Sequence, residues 1–303
     1  MLIEELRRLI AEHAGRGCTP IDGLFLASVD FPTAPMSSIA SPILAVVAQG
    51  SKRLVFDDRV YDYGAGDYLV VSVDLPVSGQ FIEASKERPF LGVGLDLRPD
   101  VVASLLLQTS HERLRSAERP SAGAPPLAVS QAPADLLDAI VRLLRLLDHL
   151  DDVPVLAPLI EREIAWRLMT GSQGSVVRQI GLTDSSFSHV GRAIRWIREH
   201  PSESFRVEEL AEQASMSLST FHRHFRAVTT MSPVQFQKKV RLQQARLLLI
   251  EGGLDVSRAA FAVGYDSLSQ FIREYRREFG APPGRDAARL RAEAARVPMS
   301  GLP

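Results

Sequence analysis

Two hydrophobic textures divide the chain. From about Ile21 to residue 100, short apolar runs at Gly23–Val29, Pro42–Ala48, Leu54–Phe56, Tyr68–Val73 and Leu91–Leu97 alternate with turn-like segments. The separators are Gln49-Gly50-Ser51, Phe56-Asp57-Asp58, Tyr63–Asp67 and Pro76–Gly79. Close, even spacing of this kind predicts an antiparallel barrel or sandwich. Elsewhere the period is helical. Met1–Ile10 reads as an amphipathic helix, broken by Gly15 and Gly17, and the Pro-, Ala-, Gly- and Ser-rich stretch Pro120–Pro133 reads as a loop. In Asp135–Leu150, the residues Leu136, Ile140, Leu143, Leu147 and Leu150 keep the spacing of a coiled-coil seam or helix pair. A second row, Leu137, Val141 and Leu144, widens that surface, so one row can pack on the barrel while the other meets a second subunit. Packing within one chain fits the same pattern. Pro154 and Pro158 interrupt before a helix at Leu159–Thr170, and Gly171–Gly174 marks a domain boundary.

Beyond about Ser186 the chain contains one pattern twice. Ser217–Arg226 and Ser267–Arg276 both fit S-L-S-x-F-x-R-x-(F/Y)-R, and Pro233 and Pro283 follow at the same offset. A long-range repeat signals duplicated architecture. The aromatic pairs Phe221/Phe225 and Phe271/Tyr275 lie four apart, so on a helix they share one face, with the leading leucine beside them. Ser219, His222, Arg223 and Arg226 point elsewhere, as do Ser269, Arg273 and Arg276. Each copy follows a short helix and a turn: Val207–Ala214 with Ser215-Met216, then Val256–Ala262 with Val263-Gly264-Tyr265. A helix at Arg192–His200 precedes the first. Ser217 suits an N-cap, and Ser267 with Gln270 fits a capping box. The outline is a helix-turn-helix used twice. Between the copies, Pro233–Ile250 forms a helix about 27 Å long at 1.5 Å per residue, a fixed spacer stopped by Gly252-Gly253.

Composition adds a charge split. The whole chain of 303 residues carries a formal net charge of −1. From Phe187 onward there are 18 Lys and Arg against 12 Asp and Glu, a net +6, whereas residues 1–186 carry 17 against 24, a net −7. A basic C-terminal third beside an acidic remainder points to nucleic-acid contact by one part alone. At this length two domains are expected. Cys18, the only cysteine, makes neither an intrachain disulfide nor a multi-cysteine metal site. The N-terminus has acids where a secretory signal needs a basic start, and no apolar run reaches the roughly 18 residues of a membrane span. A cytoplasmic protein with no membrane partner is expected.

Several ordered motifs in the first part, Gln49–Arg53, Tyr61–Gly64, Gly66–Val70, Ser72–Val77 and Ala84–Pro89, resemble the N-terminal domain of AraC-type regulators. That resemblance, over roughly residues 20–110, implies a small cupin-like barrel. Cupin enzymes usually hold a metal with a His-x-His pair, and no histidine lies between Ala14 and Ser110. The imidazole ligands of a metallocupin are therefore missing, and neither a catalytic metal nor another cofactor is expected. Gln49, Lys52, Asp67, Ser72 and Gln80 are the polar candidates for lining a pocket for a small organic effector.

The second part resembles the AraC/XylS family over about residues 187–290. Leu210-Ala211, Met216-Ser217, Phe221–Phe225, Met231–Pro233, Arg241–Leu248, Val263–Tyr265, Ser267–Phe271 and Phe279–Pro283 carry the match in order. The resemblance implies two helix-turn-helix units joined by a helix, each placing its second helix in a major-groove segment of double-stranded DNA. Aligned on the motif, the base-facing residues are Ser219, Thr220, His222 and Arg223, then Leu268, Ser269, Ile272 and Arg273. Arg226, Lys238, Lys239 and Arg276 are candidates for phosphate contacts. Two departures stand out: Thr230 replaces the glycine usual after the first unit, and Asp286-Ala287 replaces a Tyr-Arg pair.

Together these readings predict an α+β multidomain chain. Residues 1–174 form a cupin-like β-barrel with flanking helices for sensing or dimerisation. Residues 175–303 form an all-α domain with two helix-turn-helix units. The function expected is that of a non-enzymatic, ligand-responsive transcription regulator. The resemblance implies an activator that contacts RNA polymerase, and the leucine rows of Asp135–Leu150 point to a homodimer. Two other readings compete: a cupin enzyme with an appended binding module, which bound metal would support, and a protein-binding helical module, which failure to bind DNA would support.

Overall fold

The computed structural model describes residues 2–15, 18–57, 59–108, 126–181, 186–252 and 254–294, the side chains of 186–188 and 293–294 excepted. Gly17, Asp58, Gly253 and the proline-rich stretch as far as Pro125 lie outside the described residues. The chain divides into two compact units, one ending at Ser188 and the other beginning at His189.

The first unit opens with α1 (Leu2–His13). Eight strands follow: β1 (Leu24–Val29), β2 (Met36–Ala40), β3 (Ile43–Gln49), β4 (Ser51–Phe56), β5 (Arg59–Gly64), β6 (Asp67–Val71), β7 (Leu75–Glu83) and β8 (Phe90–Asp96). After α2 (Pro99–Gln108) and β9 (Leu127–Gln131) come α3 (Ala134–Arg145), α4 (Val153–Thr170) and α5 (Gly174–Gly181). The strands pair antiparallel in two sheets, β1-β8-β3-β6-β9 and β2-β7-β4-β5. β5 of the smaller sheet also approaches β3 and β6 of the larger one. One face of the larger sheet presents Leu24, Leu26, Leu44, Val46, Val70, Val93 and Leu95 to a core shared with Leu6, Leu9 and Ile10 of α1, Ile140 and Leu143 of α3, and Ile164 and Leu168 of α4. β3 is consequently buried from Ile43 to Ala48 without alternation, as expected of a strand covered on both faces. In β4 the period of two survives, and Lys52, Leu54 and Phe56 are the buried set.

Four readings of the sequence are corrected here. Pro76–Gly79 is part of β7, not a turn: Pro76 faces Ile39 of β2, beyond the stretch paired with β4, where its missing N–H breaks no ladder on that side. Residues Leu127–Gln131 form a strand against β6. Pro154 and Pro158 lie within one helix, α4, the first at its start, where a missing N–H costs nothing. The boundary placed at 174/175 falls inside the first unit, because α5 buries Val176 and Val177 in its core and Arg178 donates to the Met169 carbonyl at 2.7 Å. The seam Leu136, Ile140, Leu143 and Leu147 is also spent in that core, leaving Leu150 exposed.

The second unit takes in most of α6 (Ser186–Glu199), then α7 (Val207–Gln213), α8 (Leu218–Thr229), α9 (Pro233–Glu251), α10 (Val256–Ala262), α11 (Leu268–Phe279) and α12 (Pro283–Ala294). The repeat holds to the level of single hydrogen bonds. In the first turn Met216 N donates to Ala211 O at 2.9 Å, and in the second Tyr265 N donates to Ala260 O at 3.1 Å. Both turns need a positive φ, supplied by Ser215 at 53° and Gly264 at 83°.

Candidate nucleic-acid interface

Helices α8 and α11 are built alike. Ser217 and Ser267 cap them, accepting from Thr220 N at 3.4 Å and Gln270 N at 3.3 Å. Phe221 and Phe225 are fully buried, and Phe225 packs edge-on against Phe236 of α9 with ring centroids 5.7 Å apart. In α11, Phe271 and Tyr275 are fully buried, with Phe271 5.2 Å from Tyr265 of the preceding turn. Burying the aromatic face leaves the opposite one in solvent. In α8 the exposed stripe is Ser219, His222, Arg223 and Arg226; in α11 it is Ser269, Ile272, Arg273 and Arg276. Both follow i, i+3, i+4, i+7, one line along a helix. The four arginines have no carboxylate partner among the described residues.

The structure sets the other predicted residues apart. Thr220 is half-buried, and its hydroxyl accepts from Ser217 Oγ at 2.9 Å, so it completes the cap. Leu268 is half-buried against the core formed around Leu249, Phe271 and Tyr275. Lys238 and Lys239 of α9 pair with acids of α11: Lys238 Nζ is 2.9 Å from Glu274 Oε1, and Lys239 Nζ is 3.5 Å from Glu278 Oε1. Glu274 also accepts from Tyr265 OH at 2.8 Å and from Gln270 Nε2 at 3.2 Å. Burial alone would raise its carboxyl pKa, but these three donors outweigh it and hold the group below its ordinary range. The two lysines thus tie the joining helix to the second reading helix.

Further ties escaped the sequence reading. Arg241 of α9 donates through Nε to Pro201 O at 2.6 Å, through Nη1 to Gly264 O at 2.9 Å, and through Nη2 to Ser202 O and Glu203 O at 3.3 and 3.2 Å. Gln237 donates to Glu203 O at 2.6 Å. The loop between α6 and α7 therefore meets the turn of the second helix-turn-helix directly, and α9 is more than a spacer. At the far end, Arg246 grips the fully buried Asp286 carboxylate through Nε and Nη2 at 2.8 and 3.2 Å, while Tyr275 OH donates to it at 3.0 Å. Burial pushes the Asp286 carboxyl up, but hydrogen bonds from Arg246 and Arg289, then the Arg246 charge and the tyrosine hydroxyl, bring it below its ordinary range. The departure at Asp286 now has a reason: it locks α12 to α9 and α11.

In the first unit the five pocket candidates do not converge. Gln49 donates to Pro89 O at 2.8 Å, and Asp67 accepts from Gly64 N at 3.0 Å in the β5–β6 turn. Ser72 is buried and donates to Pro126 O at 3.1 Å. Gln80 follows Arg53 in the β4–β7 register, on the opposite face from Lys52 and Phe81. Lys52 is buried too, its Nζ 5.1 Å over the Phe81 ring, with buried Tyr63 opposite it on β5. Burial lowers its pKa to about 8.

Comparison with known proteins agrees with this architecture. The pattern of the AraC-type transcriptional regulator N-terminus matches residues 20–176, and that of a helix-turn-helix domain matches residues 210–289. The virulence regulon transcriptional activator VirF of Yersinia enterocolitica is 27% identical over 245 residues, 79% of this chain and 86% of that one. The transcriptional activator RhaS of Escherichia fergusonii is 33% identical over 111 residues, 35% of this chain and 39% of RhaS, so the chain spans less than half of that relative's length. Among solved structures, unsaturated fatty acid-bound ToxT from Vibrio cholerae aligns with a TM-score of 0.59 at 11% identity, covering 88% of this chain and 93% of ToxT. That likeness is one of fold. Among the described residues no helix is long and apolar enough to cross a membrane. With its first unit matched almost throughout and a helix-turn-helix match in the second, the chain belongs to the AraC-type family of transcriptional regulators.

Proposed function

We propose that this protein is a sequence-specific, DNA-binding transcription regulator whose N-terminal barrel responds to a small organic molecule. One observation carries the DNA reading: two helices with buried aromatic faces present the same exposed stripe, Ser-x-x-(His/Ile)-Arg-x-x-Arg. Arg223 and Arg273 sit where a guanidinium can bind guanine O6 and N7 together. Arg226 and Arg276, one turn further, are placed to meet phosphates. His222 and Ser219 give the first helix more hydrogen-bonding capacity than Ile272 gives the second, which suits a thymine methyl. Because both helices belong to one chain, a monomer can address two groove segments about 34 Å apart. The relatives RhaS and VirF are transcriptional activators, which supports activation here; contact with RNA polymerase belongs to the same proposal.

For the effector, Lys52 is the candidate anchor. A buried ammonium flanked by Phe81 and Tyr63 suits an acidic group on an apolar body, and fatty acid-bound ToxT shares the fold. A second copy of the chain is the partner proposed for the exposed Leu150, Val155, Leu156 and Leu159. Leu156 and Leu159 line a groove there with Arg142, Arg145 and Glu163, and a two-fold contact would set this one patch against its own copy. Genome-wide footprinting of the intact protein tests the main reading. Discrete sites with paired half-sites are expected, and loss of footprints in an Arg223→Ala, Arg273→Ala double variant. Occupancy without sequence preference would overturn it.

A further inference from the structure

The C-terminal end of α1 and the turn that follows α3 meet around a buried histidine. His13 is the last residue of α1, and its side chain is 5% exposed. Its Nε2 lies 3.3 Å from Asp148 Oδ1, yet has no hydrogen-bond partner. Glu12 completes the group: one donor atom from each of Glu12, His13 and Asp148 lies within 4.8 Å of the other two.

A buried imidazole nitrogen without a hydrogen bond is costly, and such atoms are few in native proteins. Close approach to a carboxylate without hydrogen-bond alignment has a simple chemical reading. Two ligands of one tetrahedral ion stand about 3.3 Å apart when each bond is about 2.0–2.1 Å, and each aims its lone pair at the ion rather than at its neighbour. We propose that His13, Asp148 and Glu12 form a site for a divalent transition-metal ion of the Zn²⁺ type, with solvent in the fourth position. One imidazole and two carboxylates suit Zn²⁺, and the imidazole argues against Mg²⁺, which takes oxygen ligands. The pair between Arg8 and Glu12, 2.8 Å apart, is solvent-exposed and adds little, so Glu12 is free to turn.

The site lies outside the barrel and owes nothing to the histidines of metallocupins. Its ligands are far apart in sequence, so the ion closes a long loop and favours the folded unit. It pins the end of α1 to the turn Leu146–Asp148 that leads into α4. At the other end of α1, Glu5 already pairs with Arg145 of α3 at 2.6 Å. Metal occupancy would hold the N-terminal helix to the helical hairpin at both ends.

The test uses the full chain, stripped with chelator and titrated with ZnCl₂ by calorimetry, with thermal melting in parallel. One Zn²⁺ per chain is expected, with no saturable binding of Mg²⁺. Asp148→Asn, at an exposed position that leaves folding intact, and His13→Gln should each weaken binding at least tenfold and abolish the zinc-induced rise in melting temperature. Cys18→Ser and His149→Ala, which remove the other nearby zinc-seeking groups, should leave binding unchanged. Absence of saturable binding, survival of binding in Asp148→Asn, or its loss in Cys18→Ser would overturn the proposal.

Discussion

Thr230 shows what one side chain does to a duplicated architecture. It ends α8 at φ 63°, in the same role that Gly280 plays at φ 74° after α11. A β-branched residue held left-handed is strained by about 1–3 kcal/mol. Thr230→Gly should therefore stabilise the second unit by about 1 kcal/mol, after the entropy glycine returns to the unfolded chain, read as a higher denaturant midpoint. Lys52 makes a pH prediction. Burial lowers its pKa from 10.5 to about 8, so between those values the unfolded chain binds more protons than the folded one. Stability of the first unit should rise with pH from about 8 towards 10, by about 2–3 kcal/mol, and level off more than about one unit below 8, where the lysine is charged in both states. Above about 10 the slope reverses, because burial raises the Tyr63 hydroxyl and the unfolded tyrosine loses its proton first. Lys52→Met should remove the rise. The inward aim of Lys52 was legible in the alternation of β4. That Gln49 and Ser72 serve the backbone was not, because their partners Pro89 and Pro126 lie far along the chain, whereas Asp67 closes its own turn on Gly64.

At the scale of the element, the reading helices were the most legible part of the chain. Aromatics four apart define a buried face, and a helix then exposes the residues opposite it. What was not legible lay at the edges of that face. Thr220 joins the Ser217 cap, a local bond that the face pattern does not show, and Leu268 lies on the aromatic side of its helix and packs there. The pairing of Lys238 and Lys239 was not legible, because Glu274 and Glu278 lie on another helix and share no periodicity with them. The proposed roles of the arginines can be told apart by experiment. Arg223→Ala and Arg273→Ala should each cost about 1–3 kcal/mol at a specific site and relax preference at a few base pairs. Arg226→Ala and Arg276→Ala should weaken all sequences alike and lower the salt dependence of binding by about one counterion each. Lys239→Ala should leave that salt dependence unchanged. Mobility shifts across a salt series, on specific and scrambled DNA, distinguish the three outcomes.

At the scale of the molecule, reading two groove segments with one chain requires the two helix-turn-helix units to keep their spacing. The joining helix was legible as a fixed spacer between the two units. Packing adds a direct contact. Arg241 gathers the carbonyls of Pro201, Ser202, Glu203 and Gly264, and a Cβ at Gly264 would stand 2.5 Å from Ser202 O. Gly280 provides a matched control, because it has a similar φ, 74° against 83°, yet a Cβ there would meet nothing within 4 Å. Alanine at either position incurs the left-handed penalty of about 1 kcal/mol. Only Gly264→Ala must also push the α6–α7 loop away from the second turn, and so disturb the spacing of the two reading helices. Gly280→Ala should lower stability and leave affinity for an intact two-segment site within about twofold, provided the protein is assayed well below its melting temperature. Gly264→Ala should lose roughly tenfold or more, about 1.4 kcal/mol, on the two-segment site, while binding a single segment as the parent does. Equal losses on both DNAs would mean that the contact serves only to keep the unit folded, and that the two heads find their groove segments independently.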